Sequence, residues 1–154
     1  MLFRSEARAG TLVSDVILGM WERGQKITTE EYRAALASRP GYPDAYYNLG
    51  RAAQDQARLA EAAELYRRAV EFRPEYVEAA NNLGVVLQEL ERWEESVAVL
   101  REAAKIRPDF PQTYNNLGNA LQELGRMDEA LDSYHRAVAL QLADGADADR
   151  KSVV

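Results

Sequence analysis

The sequence predicts an all-α solenoid, in which antiparallel helix pairs stack side by side instead of surrounding one globular core. The first observation is a fixed period, because Pro40, Pro74 and Pro108 are each 34 residues apart. The second is that Leu-Gly pairs recur at the same interval, at 49–50, 83–84 and 117–118. A repeat of this length is typical of a supersecondary unit that must stack on its neighbours to bury its apolar face. It favours an extended surface for a partner over an enzyme pocket.

The composition limits the class of protein. Of the 154 residues 47% are hydrophobic, enough for burial to offset chain entropy. The net charge of −6 argues against nucleic acid or an anionic membrane as the main partner, because phosphate binding needs clustered Lys and Arg. The absence of cysteine excludes disulfides, thiolate catalysis and zinc sites with Cys ligands. With no visible secretory signal and no stretch near the roughly 18 apolar residues of a membrane helix, we expect a cytoplasmic protein.

Each repeat is predicted to be a helix, a short turn and a second helix. In residues 43–76 the first helix has Tyr46, Leu49 and Ala53 on one stripe, at the spacing of a helix face. A similar stripe follows in the second half, which Pro74 ends because proline cannot continue a helix. Two more repeats keep this register, at 77–110 and 111–142.

Glycines at two registers indicate constraints on the backbone. The glycines of the Leu-Gly pairs each cost about 1 kcal/mol against Ala inside a helix. Because this cost recurs at one register, we expect a neighbouring helix to pass too close for a side chain at Gly50, Gly84 and Gly118. Gly125 lies where a first helix ends, a place that often needs a left-handed residue.

The N-terminal part is predicted to be a divergent helix pair at 9–42. Its second helix is expected at about 29–38, where the repeat pattern is still visible. Thr28 and Glu31 have the spacing of a capping box for the start of this helix.

The two ends of the chain are predicted to lie outside the repeats. Residues 1–8 are a polar leader. Leu142 stands where the earlier repeats have their closing proline, and residues 143–154 lack a clear amphipathic pattern. We therefore expect a disordered tail at 143–154.

These features resemble the tetratricopeptide repeat (TPR) family, whose 34-residue helix pairs carry Leu-Gly, a small residue, an aromatic residue, Ala and Pro. The first matching set is Tyr46, Leu49, Gly50, Ala62, Tyr66, Ala69 and Pro74, and Asn-Asn-Leu-Gly then recurs at 81–84 and 115–118. The Asn-Asn-Leu-Gly phrase is similar to bacterial TPR proteins and to the TPR arm of O-GlcNAc transferase-like proteins. The resemblance implies a right-handed superhelix whose first helices line a concave groove that binds peptides.

The first-helix face opposite the core is rich in asparagine. Asn is a poor helix former, so six on one face across three repeats need a reason. A side-chain amide has both donors and an acceptor, and a row of amides could pair with the backbone of a bound peptide. We predict a peptide-binding surface formed by Asp44, Tyr47, Asn48, Arg51, Glu78, Asn81, Asn82, Gln112, Asn115, Asn116 and Asn119.

The asparagines of this face have an alternative interpretation. It is that Asn48, Asn82 and Asn116 brace adjacent helices within the stack, alone or together with a binding role.

The charge of the face indicates the kind of partner. The face has five acidic residues and one basic residue, Arg51. We therefore expect the partner segment to be neutral or basic. The alternative is that the charged residues form an ordinary solvated face with no partner.

The sequence as a whole favours a protein-interaction module with no catalytic residues, no cofactor and no metal. The single histidine, His135, has no partner at a spacing suited to metal binding or nucleophilic catalysis. Two other functions remain open. One is a self-associating structural scaffold, with homo-oligomers formed through an uncapped end. The other is the non-catalytic arm of a larger enzyme, such as a glycosyltransferase.

Overall fold

The computed structural model describes residues 28–152, which contain seven α-helices and no strand. The chain divides after Pro74 into two compact units. The first unit contains α1 (Thr29–Ser38), α2 (Pro43–Asp55) and α3 (Leu59–Phe72), and the second contains α4 (Val77–Glu89), α5 (Trp93–Ile106), α6 (Pro111–Glu123) and α7 (Met127–Ser152). Consecutive helices pack as pairs, α2 with α3, α4 with α5 and α6 with α7. The all-α prediction is confirmed.

In the first unit, α1 begins at the predicted capping box and packs against α2. The backbone N–H of Glu31 donates to Thr28 Oγ1 at 3.3 Å, and the backbone N–H of Thr28 donates to Glu31 Oε2 at 2.7 Å. This reciprocal pair satisfies two N–H groups that have no partner inside the helix. The helix predicted at 29–38 is therefore confirmed, whereas the leader and the first helix of the divergent pair at 9–42 lie outside the described residues.

The turn between the two helices of each pair has the same geometry in all three pairs. The backbone is left-handed at Ala57, Glu91 and Gly125, with φ of 56°, 58° and 72°. The N–H of the following residue bonds to a carbonyl five residues back, as from Arg92 to Leu87 at 2.8 Å. This is the Schellman arrangement, which satisfies carbonyl groups at a helix end. The prediction for Gly125 is confirmed, and the two earlier turns hold the same conformation without glycine.

The glycines of the Leu-Gly pairs lie where the two helices of a pair come closest. A Cβ at any of these positions would be less than 3.0 Å from a side chain of the second helix, too short for carbon atoms in contact. A Cβ added at Gly50 would lie 2.8 Å from the ring of Tyr66. One added at Gly84 would lie 2.7 Å from the side chain of Leu100, and one added at Gly118 would lie 2.6 Å from the ring of Tyr134. The predicted close approach is confirmed.

The last helix is longer than its counterparts. Whereas α3 and α5 end two residues before a proline, α7 has Leu142 at the proline register and continues to Ser152. The disordered tail expected at 143–154 is thus corrected to an exposed helix as far as Ser152. Three alanines favour the helix, and Arg150 and Lys151 interact well with the negative end of its dipole.

Candidate functional site

The first unit carries four predicted site residues on α2, namely Asp44, Tyr47, Asn48 and Arg51. Arg73, the residue after α3, forms an ion pair with the Asp44 carboxylate at 2.8 Å. The Asn48 amide donates to the Asp44 backbone carbonyl at 2.7 Å, and the Tyr47 ring lies 5.9 Å from that of Tyr66. The structure thus gives three of these residues intramolecular contacts, while Arg51 is exposed.

The second unit repeats the ion pair once. The Arg107 guanidinium lies 2.6 Å from Glu78 Oε1, which ties the start of α4 to the end of α5. Desolvation alone would raise the pKa of Glu78, but the hydrogen bonds and the charge of Arg107 outweigh it and hold this pKa below the ordinary value. The third pair has Gln112 and Gln141 at the two equivalent registers, so the ion pair is absent there.

A buried polar network joins the first helices of the second unit, α4 and α6. The side chain of Asn81 is 5% exposed and donates to the Val77 carbonyl at 3.0 Å and to Thr113 Oγ1 at 2.9 Å. Its oxygen lies 3.4 Å from the amide nitrogen of Asn116, which donates to it. Buried polar groups are costly unless they are bonded, so this network fixes the register of α4 against α6. The structure therefore gives Asn81 a bracing position.

The last turn of α4 is held by a second set of hydrogen bonds. Gln88 Nε2 donates to the backbone carbonyl of Asn116 at 2.9 Å and to Ser96 Oγ at 3.1 Å. Ser96 Oγ in turn donates to the Gly84 carbonyl at 2.8 Å. Three helices, α4, α5 and α6, are thereby joined at one point, which positions the side chains at the ends of α4 and α6.

A pocket of about 330 Å³ lies at those helix ends, next to the first residue of α5. The Tyr134 hydroxyl lies 2.7 Å from the Asn119 side-chain oxygen and 3.2 Å from that of Gln122, and so orients two amides. The pocket is lined by Gln88, Glu89, Trp93, Asn119, Gln122 and Glu123.

This lining suits a positively charged group. Glu89 and Glu123 contribute two negative charges to the lining, and Trp93 contributes the kind of aromatic side chain that binds cations best. Because the oxygens of the Asn119 and Gln122 amides face Tyr134, their NH₂ groups supply donors for a peptide carbonyl. The lining is therefore chemically complementary to a cation that lies beside a hydrogen-bond acceptor.

The predicted set and the pocket share one residue, Asn119. On the same helices, Asn82 and Asn115 are partly buried and Gln112 is exposed. Trp93 was not predicted as a site residue because it lies on the core stripe of the second helix, at the same position in the repeat as Leu59 and Met127. The signal that could have identified it is its large aromatic side chain, since neither equivalent residue is aromatic.

Within residues 28–152, no three or more His, Cys, Asp or Glu side chains are grouped so as to hold a metal ion. Across the same part of the chain, every helix is too short or too polar to cross a membrane.

The fold is similar to several solved structures of MamA. A crystal structure of MamA has a TM-score of 0.73 and 22% identity, over 77% of this chain and 69% of that one. MamA MSR-1 has a TM-score of 0.66 and 23% identity, over 86% and 74% of the two chains. MamA 41-end from Desulfovibrio magneticus RS-1 has a TM-score of 0.69 and 18% identity, over 84% and 73%. At these identities the likeness shows the fold, an all-α TPR-like solenoid, and nothing further.

Family models match most of the repeats. A model described as TPR repeat matches residues 54–91 and 89–125, and one described as tetratricopeptide repeat matches residues 111–141. No curated protein sequence matches this chain. The matched segments together span residues 54–141, more than half of the sequence, and the chain belongs to the tetratricopeptide repeat family.

Proposed function

We propose that this protein is a non-catalytic interaction module whose second unit binds a basic segment of a partner protein. The family indicates a protein partner, and the pocket between the ends of α4 and α6 supports the choice of a basic one. The single observation that carries the proposal is the combination of Trp93, Glu89 and Glu123 around one cavity.

Arginine fits this lining better than lysine does. Its planar guanidinium can stack on the Trp93 indole while its N–H groups reach a carboxylate, either Glu89 or Glu123. A cation–π contact at an exposed site contributes about 0.5–1 kcal/mol, and a hydrogen bond to a charged group about 1.5–3 kcal/mol. A micromolar complex needs about 8 kcal/mol, so the partner must also bind beside the pocket.

The amides supply part of this additional binding. Asn119 and Gln122 each have donors that can bond to a backbone carbonyl of the partner, at about 1 kcal/mol net per bond. Binding of a peptide backbone by the row of amides at Asn48, Asn82 and Asn116 remains a prediction, and its test is the joint replacement of these three residues by Ala. The bond from Asn116 to buried Asn81 favours the bracing role for Asn116.

The fluorescence of Trp93 provides a direct test of the pocket. The sequence has two tryptophans, Trp21 and Trp93, so a Trp21→Phe background leaves one reporter. The probe is a capped peptide that alternates Arg and Ala, compared with the same peptide carrying citrulline, which keeps the shape of Arg and loses the charge. We expect a saturable change in emission with the Arg peptide and a change at least about 10-fold weaker with the citrulline peptide.

A charge-matched pair of variants separates the pocket from net charge. Glu89→Gln with Glu123→Gln should abolish the response to the Arg peptide. Glu75→Gln with Glu102→Gln removes the same charge from exposed positions of the second unit and should leave the response unchanged. Equal responses from the two double variants would show that only overall charge matters and would refute the pocket.

A further inference from the structure

The last helix carries an exposed apolar stripe. Met127, Leu131, Val138 and Leu142 are 59%, 54%, 51% and 70% exposed, and they are four of the six large hydrophobic residues most exposed in the described chain. Their spacings of four, seven and four residues place them on one face of α7. Scattered apolar residues are ordinary on a protein surface, whereas a continuous stripe on one helix marks an interaction surface.

The same face of α5 is covered. Val97 lies 34 residues before Leu131 and is 3% exposed, because Leu117 and Leu121 of α6 pack against it. In a stack of helix pairs, this face of a second helix is the one that the next first helix covers. The stripe on α7 therefore has the shape and chemistry of a surface made to receive a helix.

The path of α7 leaves the stripe uncovered by the residues that directly continue this helix. In the second pair, α5 ends at Ile106 and a turn leads into α6, which folds back onto Val97. At the equivalent register α7 does not turn, but continues as a helix to Ser152. Residues 143–152 lead along the helix axis and therefore do not fold back onto the stripe as α6 folds back onto α5.

We propose that the stripe pairs with the stripe of a second copy of this chain, with the two α7 helices antiparallel. The spacing of the four residues is the same in both directions, which is what an isologous two-fold contact requires. With the axis between Tyr134 and His135, Met127 faces Leu142 of the second copy. In this register Leu131 faces its Val138.

Charge is compatible with this register. Asp128, beside the stripe, faces Gln141 of the second copy, so no acid is placed against an acid there. The interface is small, since each copy contributes four large apolar side chains and a stable complex of standard size uses about 20–30 residues a side. We therefore expect a weak dimer that dissociates on dilution.

Light scattering over about 1–500 μM protein tests the pairing, a range chosen because small interfaces are usually weak. The wild type should approach twice the mass of one chain at the upper end. Leu131→Asp, at an exposed position that leaves the monomer folded, should weaken the dimer on the order of 100-fold or more. Ile106→Asp changes a residue of similar exposure, 47%, outside the stripe and should not alter the dimer.

Cysteine cross-linking tests the orientation, and the chain has no cysteine of its own to interfere. His135→Cys places two thiols close to the proposed axis, within the roughly 4.4–6.8 Å between Cα atoms that a disulfide needs. Asp132→Cys, exposed and one turn away, places them too far apart along the helices. We expect a disulfide dimer from the first variant and none from the second.

Three results would overturn the proposal: a monomer at every concentration, a dimer unaffected by Leu131→Asp, or equal cross-linking of the two cysteine variants. The fluorescence test of the pocket is independent, because the stripe and the pocket share no residue. Leu131→Asp should bind the Arg peptide as the wild type does, so failure of either idea can be recognised without the other.

Discussion

The second and third helix pairs differ mainly in what covers them. Both belong to the second unit and have their helices, turns and close-contact glycines at the same register. Yet Val97 of α5 is 3% exposed, whereas its counterpart Leu131 of α7 is 54% exposed. The 34-residue pattern therefore determines how the two helices of a pair pack together, whereas the burial of the pair's outer face depends on the helix that packs against it.

Two further differences distinguish the second helix pair from the third. The ion pair of Glu78 with Arg107 closes the second pair and is replaced by two glutamines in the third. The left-handed turn residue is Glu91 in the second pair and Gly125 in the third. Each difference gives a matched substitution that moves one pair toward the other.

The largest expected effect is that of an aspartate at the covered position. Val97→Asp buries a charge among Leu100, Leu117 and Leu121 with no partner for it, and we expect a loss of more than about 4 kcal/mol. Leu131→Asp should cost less than about 0.5 kcal/mol, since that position is exposed. Urea unfolding followed by circular dichroism, at a concentration low enough for monomer, measures both.

The outcome that breaks the comparison is a similar loss for the two variants. It would mean that the outer face of α7 is covered within a single chain, in contrast to the exposure of Leu131.

A smaller effect is expected from adding a methyl group where the helices of a pair touch. Gly84→Ala pushes a Cβ against Leu100, which is fully buried, and should destabilise by about 1–3 kcal/mol despite the better helix propensity of Ala. Gly118→Ala meets the ring of Tyr134, which is partly exposed and can move outward, so its cost should be lower. Thermal unfolding of both proteins gives the order, and the reverse order would contradict this account of the contact.

The helices and their contacts could be predicted from the sequence because they depend on local spacing and on residues with few backbone choices. The start of α1 at Thr28 and Glu31, the left-handed Gly125 and the close approach at Gly84 all follow from such rules. The length of α7 was missed, because its extension beyond Leu142 is solvated on all sides and has no amphipathic pattern.

The site was harder to predict because its members serve packing and binding at once. Asn81 and Asn119 lie on equivalent faces of their helices, yet one is buried against Thr113 and the other lines the pocket. Which amide becomes buried depends on the position of a neighbouring helix, and periodicity does not report that position. Likewise, Trp93 lies on the core stripe in the sequence pattern and nevertheless lines the cavity.

The turn residues give a third prediction, with opposite signs in the two pairs. Glu91→Gly should stabilise the second pair by about 1 kcal/mol, because a left-handed backbone costs an L-residue about that much. Gly125→Ala should destabilise the third pair by a similar amount, and nothing lies near enough to its Cβ to add a clash. Urea midpoints of the two variants check the signs, and two shifts of the same sign would contradict the shared geometry.

The smallest expected effect concerns the ion pair. Glu78→Gln should cost about 0.2–1 kcal/mol at pH 7, because the side chains of Glu78 and Arg107 are each nearly half exposed. The folded-state pKa of Glu78 lies below its ordinary value of 4.5, so its stabilising effect is complete above that pH and is lost as the pH falls through the lowered pKa. The difference between wild type and variant should therefore shrink in acid and in high salt.

The third pair supplies the reciprocal experiment. Gln112→Glu together with Gln141→Arg places the two charges of the second pair at the equivalent registers, and should stabilise by about 0.2–1 kcal/mol with the same pH and salt dependence. Either substitution alone should change the stability little, since the gain comes from the attraction between the two charges. A gain that is independent of pH would assign the effect to packing of the longer side chains, and the ion pair would then not distinguish the two helix pairs.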